Sequence, residues 1–127
     1  MELMNIDRKA TRSRVDRFFK NDLQYYLLRY GYSLHDLVDG IPKEPINEAS
    51  IIYQALRTCK PLYRTLIEKY YLDGELVWQI EQELHISHNS ICRLRIEAIC
   101  QFATNLVALQ EFHKIEPVLD LRVMQHE

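Results

Sequence analysis

The chain has 127 residues and carries 16 Lys and Arg against 18 Asp and Glu, for a formal net charge of −2. That length suits one domain with a buried core, and 47% hydrophobic with 27% charged residues excludes a disordered chain. With only 3 Gly and 4 Pro, tight-turned β architectures are disfavoured, and the charge balance excludes a histone-like polycation.

In chain order, residues 9–30 read as one long amphipathic helix. Val15, Phe18, Phe19, Leu23, Tyr26, Leu27 and Tyr30 recur at three- and four-residue steps. Asp7 suits the N-cap and Gly31 the C′ stop. The other face carries Arg8, Lys9, Arg12, Arg14, Arg17 and Lys20, the densest basic stretch in the chain. It is either a solvated face or a phosphate-contacting one. The apolar face either packs on the rest of the chain or pairs with its copy in a homodimer, and pattern alone leaves both open.

Ser33 opens a short capped turn of helix. Gly40, Pro42 and Pro45 then break any helix and mark a linker. Asn47 caps a helix to about residue 59, with the stripe Ile51, Ile52, Ala55, Leu56 and Cys59. Pro61 sits at the first position of the next helix, which ends at Asp73 and Gly74. A short helix spans about residues 76–84, and another begins after Ser87 and runs to or past Phe112. The reading is an all-α chain: a long N-terminal helix plus a C-terminal helical bundle containing a helix-turn-helix. It divides into a basic arm and linker over 1–45, the helix-turn-helix domain over 46–115 and a tail over 116–127.

No apolar run reaches the roughly 18–20 residues that span a bilayer. The N-terminal stretch is charged and lacks a signal-peptide core, so a cytoplasmic chain with no membrane partner is expected. Cys59, Cys92 and Cys100 form no CxxC pair and read as free, buried thiols. His85, His88 and Cys92 match no standard zinc spacing, so no metal and no cofactor are expected. No nucleophile, base and orienting group stand in a recognisable array, and the 8 tyrosines mostly share helical spacing with Phe and Leu. No catalytic residue is expected.

Residues 73–94 carry the functional signal. Ile80 and Leu84 face inward from a first helix, Ile86 plugs the turn and Ser87 caps a second helix. Ile91, Leu94, Ala98 and Phe102 form the inward face of that helix. At about 100° per residue, Asn89, Arg93 and Ile96 point away from Ile91, with His88 and Cys92 flanking them. Such a helix reads the major groove with its first turns. Ser87, His88, Asn89, Ser90, Cys92 and Arg93 are therefore the candidate base-reading residues, Asn suiting adenine and Arg guanine. Ile96 suits a thymine methyl. Arg12, Arg14, Arg17, Arg64, Lys69 and Arg95 are the phosphate candidates. Asp73, Glu75, Glu81, Glu83 and Glu97 outnumber Arg93 and Arg95 here, so phosphate neutralisation is expected from Arg57, Lys60, Arg64 and Lys69 on the preceding helices, from the basic N-terminal helix and from a second copy.

Residues 86–103, with a Ser opening the helix, then Arg93-Leu94-Arg95, Glu97-Ala98 and Phe102-Ala103, resemble the end of ArpU-family phage regulators. Asp7-Arg8-Lys9-Ala10-Thr11 resembles their start. More distantly, residues from about 47 to 104 are similar to region four of sigma factors. The resemblance implies a phage or prophage transcriptional regulator in a bacterial host, typically an activator of late packaging or lysis genes, with double-stranded DNA as partner. The charge balance supports an alternative: a regulator that binds RNA polymerase or another regulatory protein. A small terminase-like DNA-binding subunit is a further one. Glu81, where many such units have a small residue, and His85, where they usually have Gly, depart from the general helix-turn-helix pattern. Glu81 is expected to swing its carboxylate outward, and His85 to adopt the left-handed turn conformation.

Overall fold

A computed structural model describes residues 5–125. The chain is all-α, and the elements begin where local chemistry starts them. α1 (Arg8–Arg17) is capped by Asp7, whose carboxylate accepts from Ala10 N–H at 3.0 Å. It runs through a π-helical turn (Phe18–Asp22) into α2 (Leu23–Arg29) as one continuous helix. Gly31, at φ 82°, ends it: Gly31 N–H donates to Leu28 C=O and Tyr32 N–H to Leu27 C=O. α3 (Leu34–Asp39) starts at Ser33, whose N–H donates to the Asp36 carboxylate at 2.8 Å.

α4 (Glu48–Arg57) has a reciprocal cap: Ser50 N–H donates to Asn47 Oδ1, and Asn47 N–H to Ser50 Oγ. α5 (Pro61–Ile67) has proline at its first position and passes into a second π-helical turn (Glu68–Leu72). α6 (Val77–Leu84) and α7 (His88–Phe112) complete the fold.

The two π turns are absent from a strict three-and-four reading. In the first, Leu23 N–H reaches back five residues to Phe18 C=O. The extra residue per turn brings both Phe18 and Phe19 inward, at 1% and 7% exposure. Phe19 stacks on Tyr71 with centroids 4.4 Å apart, and both phenylalanines meet Phe102 of α7.

One core joins regions that the sequence divides. Phe18, Phe19, Leu23 and Leu27 of the expected arm share a cluster with Ile51, Ile52 and Leu56 of α4 and with Ile99, Phe102 and Leu106 of α7. The N-terminal helix thus packs on the bundle rather than standing off from it, and the division near residue 45 is not visible in the core.

The tail also packs back. Leu121 is buried in that cluster. Buried Gln110 accepts from Leu119 N–H and donates to Leu119 C=O, both at 2.8 Å. Asp7 N–H donates to Val123 C=O, and Ile6 forms an isolated antiparallel bridge with Met124. The ends of the expected arm and tail, residues 1–4 and 126–127, lie outside the described residues.

A second, smaller cluster of Leu66, Ile80 and Ile91 sits under α6 and the first turns of α7, flanked by Tyr70, Leu84, Ile86 and Leu94. The α6–α7 unit therefore has its own core, fastened to α5 through Leu66. No helix among the described residues is long and apolar enough to cross a membrane.

Candidate nucleic-acid interface

Three residues make the turn between α6 and α7. His85 takes the left-handed conformation at φ 56° and ψ 44°, as its place in the sequence requires. Ile86 N–H returns to Glu81 C=O at 3.3 Å, the six-to-one bond of a Schellman turn. Ile86 packs into the small core, and Ser87 caps α7 by accepting from Ser90 N–H.

The cap directs the first turns of α7 outward. Ser87, His88, Asn89 and Arg93 are exposed, whereas Ser90 and Cys92 are half-buried. Ile96 is half-buried too and does not stand clear of the bundle as the helical-wheel angle suggested. The expectation of three buried thiols fails at Cys92 for the same reason: it flanks the outward face, while Cys59 and Cys100 lie inside.

Glu81 shows how a large residue fits where a small one is common. Its carboxylate swings out and meets His88 Nδ1 at 2.7 Å. Arg93 reaches Glu97 at 3.4 Å, and Glu97 in turn accepts from the Tyr63 hydroxyl at 2.9 Å.

The phosphate candidates divide by what already holds them. Arg14 donates to the tail carbonyls of Asp120 and Arg122, at 3.4 and 3.2 Å, so it faces the C-terminal segment. Lys69 lies between Glu83 and Glu75, and its ammonium is held protonated first by the bond to Glu83. The Arg95 guanidinium lies over the Tyr70 ring at 4.1 Å. Arg17 is exposed, and Arg12 and Arg64 are half-buried.

The sequence placed Arg8 only among the basic residues of the N-terminal helix; the fold sets it beside α7. It lines a hollow with Lys60, Tyr63, Glu97, Cys100 and Gln101. Arg8, Arg12 and Asp16 form one four-residue row on α1. One end of the row is fixed at that hollow. The other is fixed where Asp16 accepts from the Tyr71 hydroxyl. Lys60 adds a cation over the Tyr63 ring at 5.5 Å. The signal in the sequence was the Arg8–Arg12 row itself; its partner surface is visible only in the fold.

No protein-family model, curated protein or solved structure matches this chain.

Proposed function

We propose that this chain is a sequence-specific, double-stranded-DNA-binding transcriptional regulator of phage or prophage origin, without catalytic activity. It acts in the cytoplasm of a bacterial host and activates late packaging or lysis genes. One observation carries the reading: a Ser87-capped helix presents His88, Asn89 and Arg93 to solvent in its first turns, set by a Schellman turn on a small private core. Major-groove readers present side chains in this way. Arg8 and Lys60 stand beside that helix and suit the neighbouring phosphates. The phage assignment and the regulated genes rest on the ArpU-family resemblance.

Binding sites selected from random duplex DNA at two salt concentrations test the proposal. Arg93→Ala is expected to relax discrimination at one base position by about 1–3 kcal/mol. No selected consensus, or an Arg93→Ala chain with undiminished discrimination, refutes it.

A second reading draws on a different surface. Leu76 and Trp78 are 58% and 54% exposed at the start of α6, close in sequence to Glu75, Glu81 and Glu83. Such a patch suits RNA polymerase or another regulatory protein as partner. Loss of polymerase co-purification on Trp78→Ala, with DNA binding intact, would support it.

A further inference from the structure

Between α6 and α7 three reactive side chains stand in series. Glu81 Oε2 lies 2.7 Å from His88 Nδ1, and His88 Nε2 lies 3.6 Å from Cys92 Sγ. We propose that Cys92 is a hydroperoxide-reactive thiol, activated by the Glu81–His88 pair on the outward face of α7.

The chemistry follows from the ring. A carboxylate at Nδ1 accepts the proton there, which fixes the tautomer and leaves Nε2 as the base. Nε2 faces the thiol at 3.6 Å and is placed to accept its proton as the sulfur attacks, leaving an imidazolium. Glu81 stabilises that cation. His88 and Cys92 lie one turn apart on α7, while Glu81 comes from α6, so only the left-handed turn at His85 brings the three together.

The other two thiols provide internal controls. Cys59 is buried and donates to Ala55 C=O, and burial pushes its thiol up to about 11. Burial also raises Cys100. Both stay protonated and closed to solvent, whereas Cys92 is partly exposed.

The step balances. As His88 Nε2 takes the thiol proton, the Cys92 sulfur attacks the terminal oxygen of a hydroperoxide. An S–O bond forms and the O–O bond breaks. The departing alkoxide or hydroxide takes the proton from His88 Nε2 and leaves as alcohol or water. Sulfur loses two electrons to become a sulfenic acid, the peroxide is reduced, and the imidazole returns to neutral. Because Cys92 neighbours Arg93, the added oxygen sits on the proposed reading face. That consequence, unlike the reactivity, rests on the DNA-binding proposal.

The full chain is treated with hydrogen peroxide in the presence of dimedone, and each cysteine peptide is followed by mass spectrometry. Cys92 is expected to be trapped while Cys59 and Cys100 are not. Glu81→Gln and His88→Asn are expected to slow trapping about tenfold, through loss of the positioned base or of the carboxylate that orients it. Equal trapping rates in the parent and in both folded variants overturn the assignment, as does trapping of Cys59 or Cys100 as fast as Cys92. DNA retention is measured separately, before and after peroxide. A chain that traps at Cys92 but retains no DNA overturns the DNA reading and leaves the thiol standing. A chain that binds DNA but does not trap overturns the thiol alone.

Discussion

His85→Gly is expected to stabilise the fold. His85 holds φ 56° and ψ 44°, a conformation that costs a residue bearing a Cβ roughly 1–2 kcal/mol. Its side chain is exposed, so little packing is lost on removal. Glycine relieves the steric cost but frees the unfolded chain, which offsets about 0.4–1 kcal/mol. The net gain is between about 0 and 1.6 kcal/mol, centred on about 0.8. The bond from Ile86 N–H to Glu81 C=O is backbone and survives the change. His85→Val reverses the sign, because a β-branched residue fits the left-handed region worst. Urea unfolding followed by circular dichroism reads both variants against the parent, with equal slopes required for the comparison. A His85→Gly chain less stable than the parent, or a His85→Val chain as stable, refutes the argument that this turn is locally strained.

Other expectations test the packing and the charge. Gln110→Ala removes the bonds to Leu119 N–H and C=O and is expected to destabilise by about 2–3 kcal/mol; amide exchange at Leu119 should rise in parallel. The Tyr30 hydroxyl bonds the Glu48 carboxylate and holds it below its ordinary value. A lowered folded value means that this bond stabilises above the unfolded pKa and is lost as pH falls through the folded one. Tyr30→Phe should therefore raise the Glu48 titration midpoint by NMR and flatten the stability-against-pH curve in the acid range. Combining Arg12→Ala with Arg17→Ala should weaken all duplexes about equally and reduce the salt slope by up to about two; an unchanged slope removes these arginines from the interface.

The exposed surface of α2 and α3 also bears on oligomeric state. The apolar face offered by Phe18, Phe19 and Leu23 is spent inside the chain. Tyr25, Leu28 and Val38 remain at 65%, 70% and 44% exposure. A dimer through the N-terminal helix would have to use Tyr25 and Leu28, so the Phe18, Phe19 and Leu23 seam is not the one left available.

By itself the sequence determined the helices and their ends. Asp7, Ser33, Asn47, Pro61 and Ser87 start helices because a side-chain acceptor, or a missing N–H, acts within three residues of itself. The same locality made the outward face of α7 legible: the spacing of Ile91, Leu94 and Ala98 leaves Asn89 and Arg93 opposite, although Ile96 on the same angle is half-buried. Only the tertiary structure decided what depends on distant partners. The tail found its place through Gln110 and Arg14, and Arg14 thereby ceased to be a free-standing phosphate contact. The π turn that buries Phe18 and Phe19 together answers to Tyr71 and Phe102, which are far along the chain. The opening net charge of −2 hides a similar sorting. Glu83 and Glu75 hold Lys69, Glu97 holds Arg93, and Arg8 comes to α7 from the far end of the sequence. Local hydrogen bonding is written in neighbouring residues, whereas charge pairing and packing depend on distances that only the folded chain sets.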